Sequence, residues 1–393
     1  MDNEQLKKGY KRTEVGIIPN DWDVKKLSSA LKTKPQYGIN APAVTYDGNL
    51  PIYIRITDIS EHGYFAPETI VAVDHKNSNQ FYLEEGDIVF ARTGASVGKS
   101  YLYNMLDGKL VYAGFLIKIR PDHNQLIADF LAQYVKTKAY WSWVKIMSMR
   151  SGQPGINGNE FGQLLIPFPK IKEQRTIAGA LSDVDALIAA LDKLIAKKRA
   201  IKTATMQQLL TGKKRLPGFE GGRVKKPIGD FAPLQRGFDL PTSQLIGGQY
   251  PVVYSNGVMN KHSDYMVRGP GVVTGRSGTL GKVHYIEDNY WPHNTSLWVT
   301  DFKNNQPKFV YYLYSFIGFE RFASGSGVPT LNRNDAHAFI VEVPESSEEQ
   351  ISIANILSDM DIEITALEAR RNKTQSIKQG MMQELLTGRI RLV

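Results

Sequence analysis

Two stretches decide how this chain is read. Glu173–Leu216 runs EQRTIAGALSDVDALIAALDKLIAKKRAIKTATMQQLLTGKKRL, and Glu349–Leu392 runs EQISIANILSDMDIEITALEARRNKTQSIKQGMMQELLTGRIRL. They align without a gap at a shift of 176 residues, and 22 of 44 positions are identical. An internal repeat constrains architecture more than any single motif. Two copies are too few for a stacked solenoid, so the chain is expected to have pseudo-two-fold organisation. Such a protein suits a two-part target, and DNA offers two sites one helical turn apart.

Within the repeat, Ile177, Leu181, Val184, Ile188, Leu191 and Ile195 recur at spacings of four and three. Ile353, Leu357, Met360, Ile364 and Leu367 do the same in the second copy. This pattern puts one apolar seam on each of two long helices and fits their pairing as a coiled coil. Acidic Asp183, Asp185, Asp359 and Asp361 lie early, as the helix dipole prefers. Gly212 and Gly388 follow Leu-Leu-Thr as expected C-terminal caps. From Glu173 to Leu210 the helix would be roughly 57 Å long at 1.5 Å per residue.

The fold class expected is α+β. Residues 1–170 and 216–345 form two similar mixed α/β-like domains, separated by the helix of 171–215 and followed by that of 346–393. Strand-like runs at Asp87–Ala91, Leu116–Ile119, Val252–Tyr254 and Leu297–Val299 are divided by Gly and Asn turns. Helix-like, aromatic-rich stretches follow at Gln125–Ile146 and Lys308–Phe322. Arg215–Gly222 reads as a hinge between the halves.

The 393 residues include 48 Lys and Arg against 39 Asp and Glu, a net charge of +9 that favours a polyanionic partner. With no cysteine, disulfides, thiolate metal sites and cysteine nucleophiles are excluded. The opening MDNEQLKKGYKR is not a signal peptide and no run is long enough to span a membrane, so a cytoplasmic protein is expected. The seven histidines are scattered without metal-ligand spacing, and no catalytic signature occurs.

Two short patterns recur in the mixed domains. Arg92-Thr93-Gly94-Ala95-Ser96-Val97-Gly98-Lys99 is echoed by Arg276-Ser277-Gly278-Thr279-Leu280-Gly281-Lys282. Exposed amides beside Arg92, Thr93, Lys99, Arg276, Ser277 and Lys282 would suit phosphate; a plain glycine turn between strands is the alternative. The loop is not a nucleotide-binding P-loop, because three residues separate its glycines where that motif needs four. The second pattern, SGxPx(I/L)NxN, brings Ser151, Gln153, Asn157 and Asn159 in one domain and Ser326, Asn332 and Asn334 in the other. Asn and Gln can read adenine edges, yet Asn and Pro also build caps and turns, and a mainly architectural role is expected here. Between Lys193 and Lys226 lie eleven Lys and Arg with one acid, Glu220. Lys197, Lys198 and Arg199 of that cluster are candidates to neutralise phosphate.

Taken with Ile18-Pro19-Asn20-Asp21-Trp22, the duplicated helices and the duplicated SGxP loops, the chain closely resembles the specificity subunits of type I restriction–modification systems over its full length. One departure is that Ile-Pro-x-x-Trp is not repeated before the second domain, which begins Leu216-Pro217-Gly218-Phe219. The resemblance implies two target recognition domains, each reading half of a split sequence in double-stranded DNA, and an antiparallel helix pair acting as spacer. It implies a subunit without catalytic activity that recruits two methyltransferase subunits and motor–nuclease subunits. S-adenosylmethionine, ATP and magnesium would then belong to those partners, and this chain would bind no cofactor or metal. The two domains diverge outside their recurring loops, so an asymmetric target is expected, since a symmetric protein would demand a palindrome. The competing readings are a specificity subunit serving a methyltransferase–nuclease fusion and a coiled-coil scaffold unrelated to DNA.

Overall fold

The computed structural model describes residues 8–149, 153–324 and 329–392, and the chain divides into two compact units. The first comprises Met1–Ala190 with Arg371–Val393, the second Leu191–Arg370.

In the first unit, the strand Ile88–Ala91 is buried at every position, as its unbroken apolar run requires. It lies between Ser100–Leu102 and Leu116–Ile119, with Gln36–Tyr37 beyond, all antiparallel. A second sheet orders Leu110–Tyr112, Ile52–Ile54, Val71–Val73 and Ala43–Thr45, its first pair parallel. The aromatic stretch expected as one helix is two, Ala128–Tyr134 and Lys138–Met147. The break falls at Thr137, whose hydroxyl accepts the Tyr140 N–H and so starts a new helix instead of continuing the old one. Phe90, Phe130, Tyr140 and Phe161 fill the core between sheet and helices.

The second unit repeats this plan. Leu234–Arg236, Ser296–Val299, Gly271–Gly275 and Val283–Ile286 form the matching antiparallel sheet in the same order. Tyr250–Tyr254 runs parallel to Trp291–Pro292, as Ile52–Ile54 does to Leu110–Tyr112. Its helix, Pro307–Ile317, stops at Gly318 (φ +70°), and the expected continuation to Phe322 is a single tighter turn, Phe319–Phe322. The second domain's start, obscure in sequence, is the strand Arg223–Pro227 paired with Ile340–Pro344. Asp23–Lys26 pairs with Leu165–Phe168 in the same way.

The repeats fold as a central helix, Ile171–Leu210, and a C-terminal helix, Ser347–Leu385. At 40 residues the central helix is about 60 Å long. Each ends as expected: Gly212 and Gly388 take positive φ, and the amides of Lys214 and Ile390 return to the carbonyls of Gln208 and Glu384. Ile177, Leu181, Leu191, Ile195, Ile353, Leu357 and Ile364 are buried, while Val184, Ile188, Met360 and Leu367 are half-buried. In the first unit Ile177 and Leu181 share one core with Leu385, Leu386 and Trp22. In the second, Ile353 and Leu357 do so with Leu209, Leu210 and Phe309. The start of each seam is therefore spent on a domain core as well as on the other helix.

Candidate nucleic-acid interface

The identities shared by the two repeats have a packing cause. In the first unit the buried Glu173 accepts two bonds from the Arg391 guanidinium (2.6 and 2.9 Å) and one from the Trp22 indole (3.0 Å). In the second, buried Glu349 is held by Arg215. The neighbouring Gln174 accepts the Ile127 N–H and donates to the Gln125 and Pro169 carbonyls, each at 2.9 Å. Gln350 accepts the Gln306 N–H and donates to Asn305 and Pro344. Asp185 pairs with Lys378 (2.7 Å) and Asp361 with Lys202 (2.5 Å). So the Glu of EQ binds the Arg of RL, the Gln ties the helix start to its own domain, and the second Asp of SDxD binds the Lys of IK. Within each unit residue numbers rise on one helix as they fall on the other, so the pair is antiparallel.

Where the Ile-Pro-x-x-Trp opening is missing, Arg223 takes its place. Pro19 and Trp22 lie against Gly388 in the first unit, and the Arg223 side chain lies against Gly212 in the second, donating to the Leu210 carbonyl (2.9 Å).

The two recurring loop patterns meet in both units. Thr93 bridges Gly155, and the Ile156 N–H donates to the Arg92 carbonyl at 2.9 Å. Equivalently, Ser277 bridges Thr330, and the Leu331 N–H donates to the Arg276 carbonyl at 2.7 Å. The loop amides turn inward: Gly94 donates to Pro154, Val97 to Gly94, Gly98 to Ala91 and Lys99 to Ser96. Gly98 and Gly281 have positive φ, and a Cβ there would press on Val144 and Glu320, so both glycines permit close packing. Of the candidates in the loop, Lys99 pairs with Glu61 at 2.5 Å. Arg92 lies over the Tyr37 ring (4.9 Å) and donates to the Gly114 carbonyl, while Lys282 is exposed.

Asn157 caps the helix Gly158–Gly162, accepting the Glu160 N–H as the Glu160 carboxylate accepts its own. Asn332 caps Arg333–Ala338 through the Asn334 N–H. Gln153, Asn159 and Asn334 are exposed. Ser151 and Ser326 lie outside the described residues. Of the basic cluster, Lys198 pairs with Glu363 (2.7 Å) and Arg199 with Glu368 (2.5 Å), whereas Lys197 is exposed. Among the described residues there is no cluster of His, Asp or Glu suited to a metal, and no helix is long and apolar enough to cross a membrane.

A further recurrence surrounds the two arginines. Gln36-Tyr37-Gly38-Ile39-Asn40 matches Gln235-Arg236-Gly237-Phe238-Asp239. A Cβ on Gly38 would fall 2.2 Å from the Ala113 carbonyl oxygen, and one on Gly237 would fall 2.2 Å from that of His293. Only glycine allows that approach. The Arg92 and Arg276 amides then donate to the Phe115 and Thr295 carbonyls. The repeated Gln-x-Gly was the available sequence signal, too short to stand out alone.

The sequence profile of the type I restriction modification DNA specificity domain matches residues 19–199 and 222–379. A chain of Methanocaldococcus jannaschii assigned as the MjaX type I restriction enzyme specificity subunit is 25% identical over 98% of this chain and 97% of its own length. The Escherichia coli EcoKI specificity subunit is 26% identical over 46% of this chain and 39% of its own. The crystal structure of a type I restriction–modification S subunit from M. genitalium shares the fold, with a TM-score of 0.64 at 17% identity, covering 93% of this chain and 96% of that one. A duplicated domain, a duplicated helix and a profile matching both halves lead to one conclusion: the chain belongs to the family of type I restriction–modification DNA specificity subunits.

Proposed function

We propose that this chain is the non-catalytic, cytoplasmic subunit that selects an asymmetric, two-part sequence in double-stranded DNA. Residues 1–170 and 216–345 act as its two target recognition domains. The observation that carries this reading is one backbone frame built twice and dressed differently. The hydrogen bonds around Arg92 recur around Arg276, while the exposed side chains beside them differ. Two like frames with unlike surfaces suit two half-sites of different sequence.

The helices serve as spacer, and the complex is completed by two methyltransferase subunits and by motor–nuclease subunits. S-adenosylmethionine, ATP and magnesium are bound by those partners. To act on adenine, a methyltransferase must take the base out of the duplex, so this subunit must tolerate locally distorted DNA. The test is co-expression with its type I methyltransferase subunit, followed by sequencing of host DNA with a method that detects methyladenine. The expected result is one split motif with two defined halves and a fixed gap. An assembled complex that adds no such motif would refute the reading.

A further inference from the structure

The two arginine frames superpose in their bonding but not in what they present. Gly38 and Gly237 donate to the carbonyls of Leu116 and Ser296, and Ile39 and Phe238 to those of Tyr112 and Pro292. Arg92 and Arg276 donate to Phe115 and Thr295. These bonds fix equivalent positions: Tyr37 with Arg236, Asn40 with Asp239, and Phe115 with Thr295. All of these bonds join backbone groups, so the frame itself does not depend on which side chains stand on it. Those that emerge from it are free to differ, and they do.

In the first unit the emerging surface is aromatic. Tyr37 is 44% and Phe115 57% exposed, and Asn40 is exposed beside them. In the second unit the surface is a polar network. Arg236 donates to Asp239 at 2.9 Å, and the Asn294 amide donates to the same carboxylate oxygen. Arg236 and Asp239 are both more than half exposed. Exposed ion pairs contribute little to stability, so this network has no evident role in the fold. A guanidinium steadied by a carboxylate has few orientations to lose on binding, and its free edge matches the O6 and N7 acceptors of guanine. An exposed phenyl ring offers no hydrogen bond and suits the thymine methyl group.

We propose that Arg236, oriented by Asp239 and Asn294, selects a guanine in one half-site, and that Phe115, flanked by Tyr37 and Asn40, contacts a thymine methyl in the other. This deepens the function proposed above and rests on it. The network and the ring emerge from equivalent frames, one in each unit, so each acts on its own half of the target only.

The test uses the complete chain, co-expressed with its methyltransferase, with methyladenine mapped for the parent and for Arg236→Ala, Arg236→Gln, Asp239→Ala and Phe115→Ala. Modification at sites carrying the wrong base at one position should rise about tenfold or more relative to the parent. For the first three variants that position should be a guanine of one half-site, and for Phe115→Ala a thymine of the other, with the gap unchanged. All three side chains are exposed, and thermal melting checks that the variants fold. Unchanged motifs, equal loss at every site, or a parent half-site without the guanine would overturn the assignment. A parent that yields no split motif would instead refute the function on which it rests.

Discussion

Removing Arg391 exposes how the chain holds its first unit together. In Arg391→Ala the Glu173 carboxylate, 4% exposed, loses both guanidinium bonds and keeps the Trp22 indole donor. Asp21 loses its two bonds to the same guanidinium, which also lies over the Trp22 ring. Breaking a buried pair by deleting one partner costs about 3–5 kcal/mol. Arg391 is 27% exposed, so water replaces part of what is lost, and about 3 kcal/mol is expected. With a urea dependence of about 2–3 kcal/mol per molar for a unit of this size, the midpoint should fall by about 1–1.5 M. Tryptophan fluorescence follows the transition, since Trp22 is fully buried. Adding Glu173→Gln removes the stranded charge and should restore about half of the loss. A shift under about 0.2 M, or a double variant no more stable than Arg391→Ala, would refute the clamp.

Other outcomes follow from the same packing. Gly388→Ala should destabilise by about 2–3 kcal/mol and Gly212→Ala by about 1 kcal/mol in urea unfolding, because both need positive φ but only Gly388 faces a rigid proline ring; equal costs would refute this. Burial, foremost, holds the His284, His293 and His337 imidazoles below the ordinary histidine range, and the His337 Nε2 accepts the Leu234 N–H. These groups bind fewer protons folded than unfolded, so the second unit should be fully stable above about pH 6.5 and lose stability as pH falls further. Its urea midpoint should drop between about pH 7.5 and pH 5.5, and less so in His337→Gln; an unchanged midpoint would contradict the assignment. Arg92→Ala and Arg276→Ala should weaken binding to all DNA sequences and flatten its salt dependence by about one unit of slope if both guanidiniums meet phosphate. An unchanged slope would return them to the frame alone. Matched seven-residue insertions, near Lys197 in the central helix and after Glu368 in the C-terminal helix, add about 10 Å to each. The methylated motif should then keep both halves and gain about three base pairs of gap; altered halves with an unchanged gap would defeat the spacer reading.

The sequence by itself determined the duplicated plan. The apolar seams, the Leu-Leu-Thr-Gly ends and the two recurring loops are local patterns, and local patterns survive reading one residue after another. Ile177 and Leu181 are buried because of their spacing, and Gly388 caps because glycine alone adopts that φ without strain. What EQ and RL were for was not legible, since Glu173 and Arg391 lie 218 residues apart and meet only when the chain closes on itself. The charge of Lys99, Lys198 and Arg199 was legible; that each faces a carboxylate was not. Nor did composition distinguish the arginine frame from its surface. Arg92 and Arg276 recur because their backbones occupy one place in two copies of a sheet. The short Gln-x-Gly match alone could not establish that Arg236 stands where Tyr37 does; the folded sheets do, because strand register, not sequence distance, decides which side chains stand side by side.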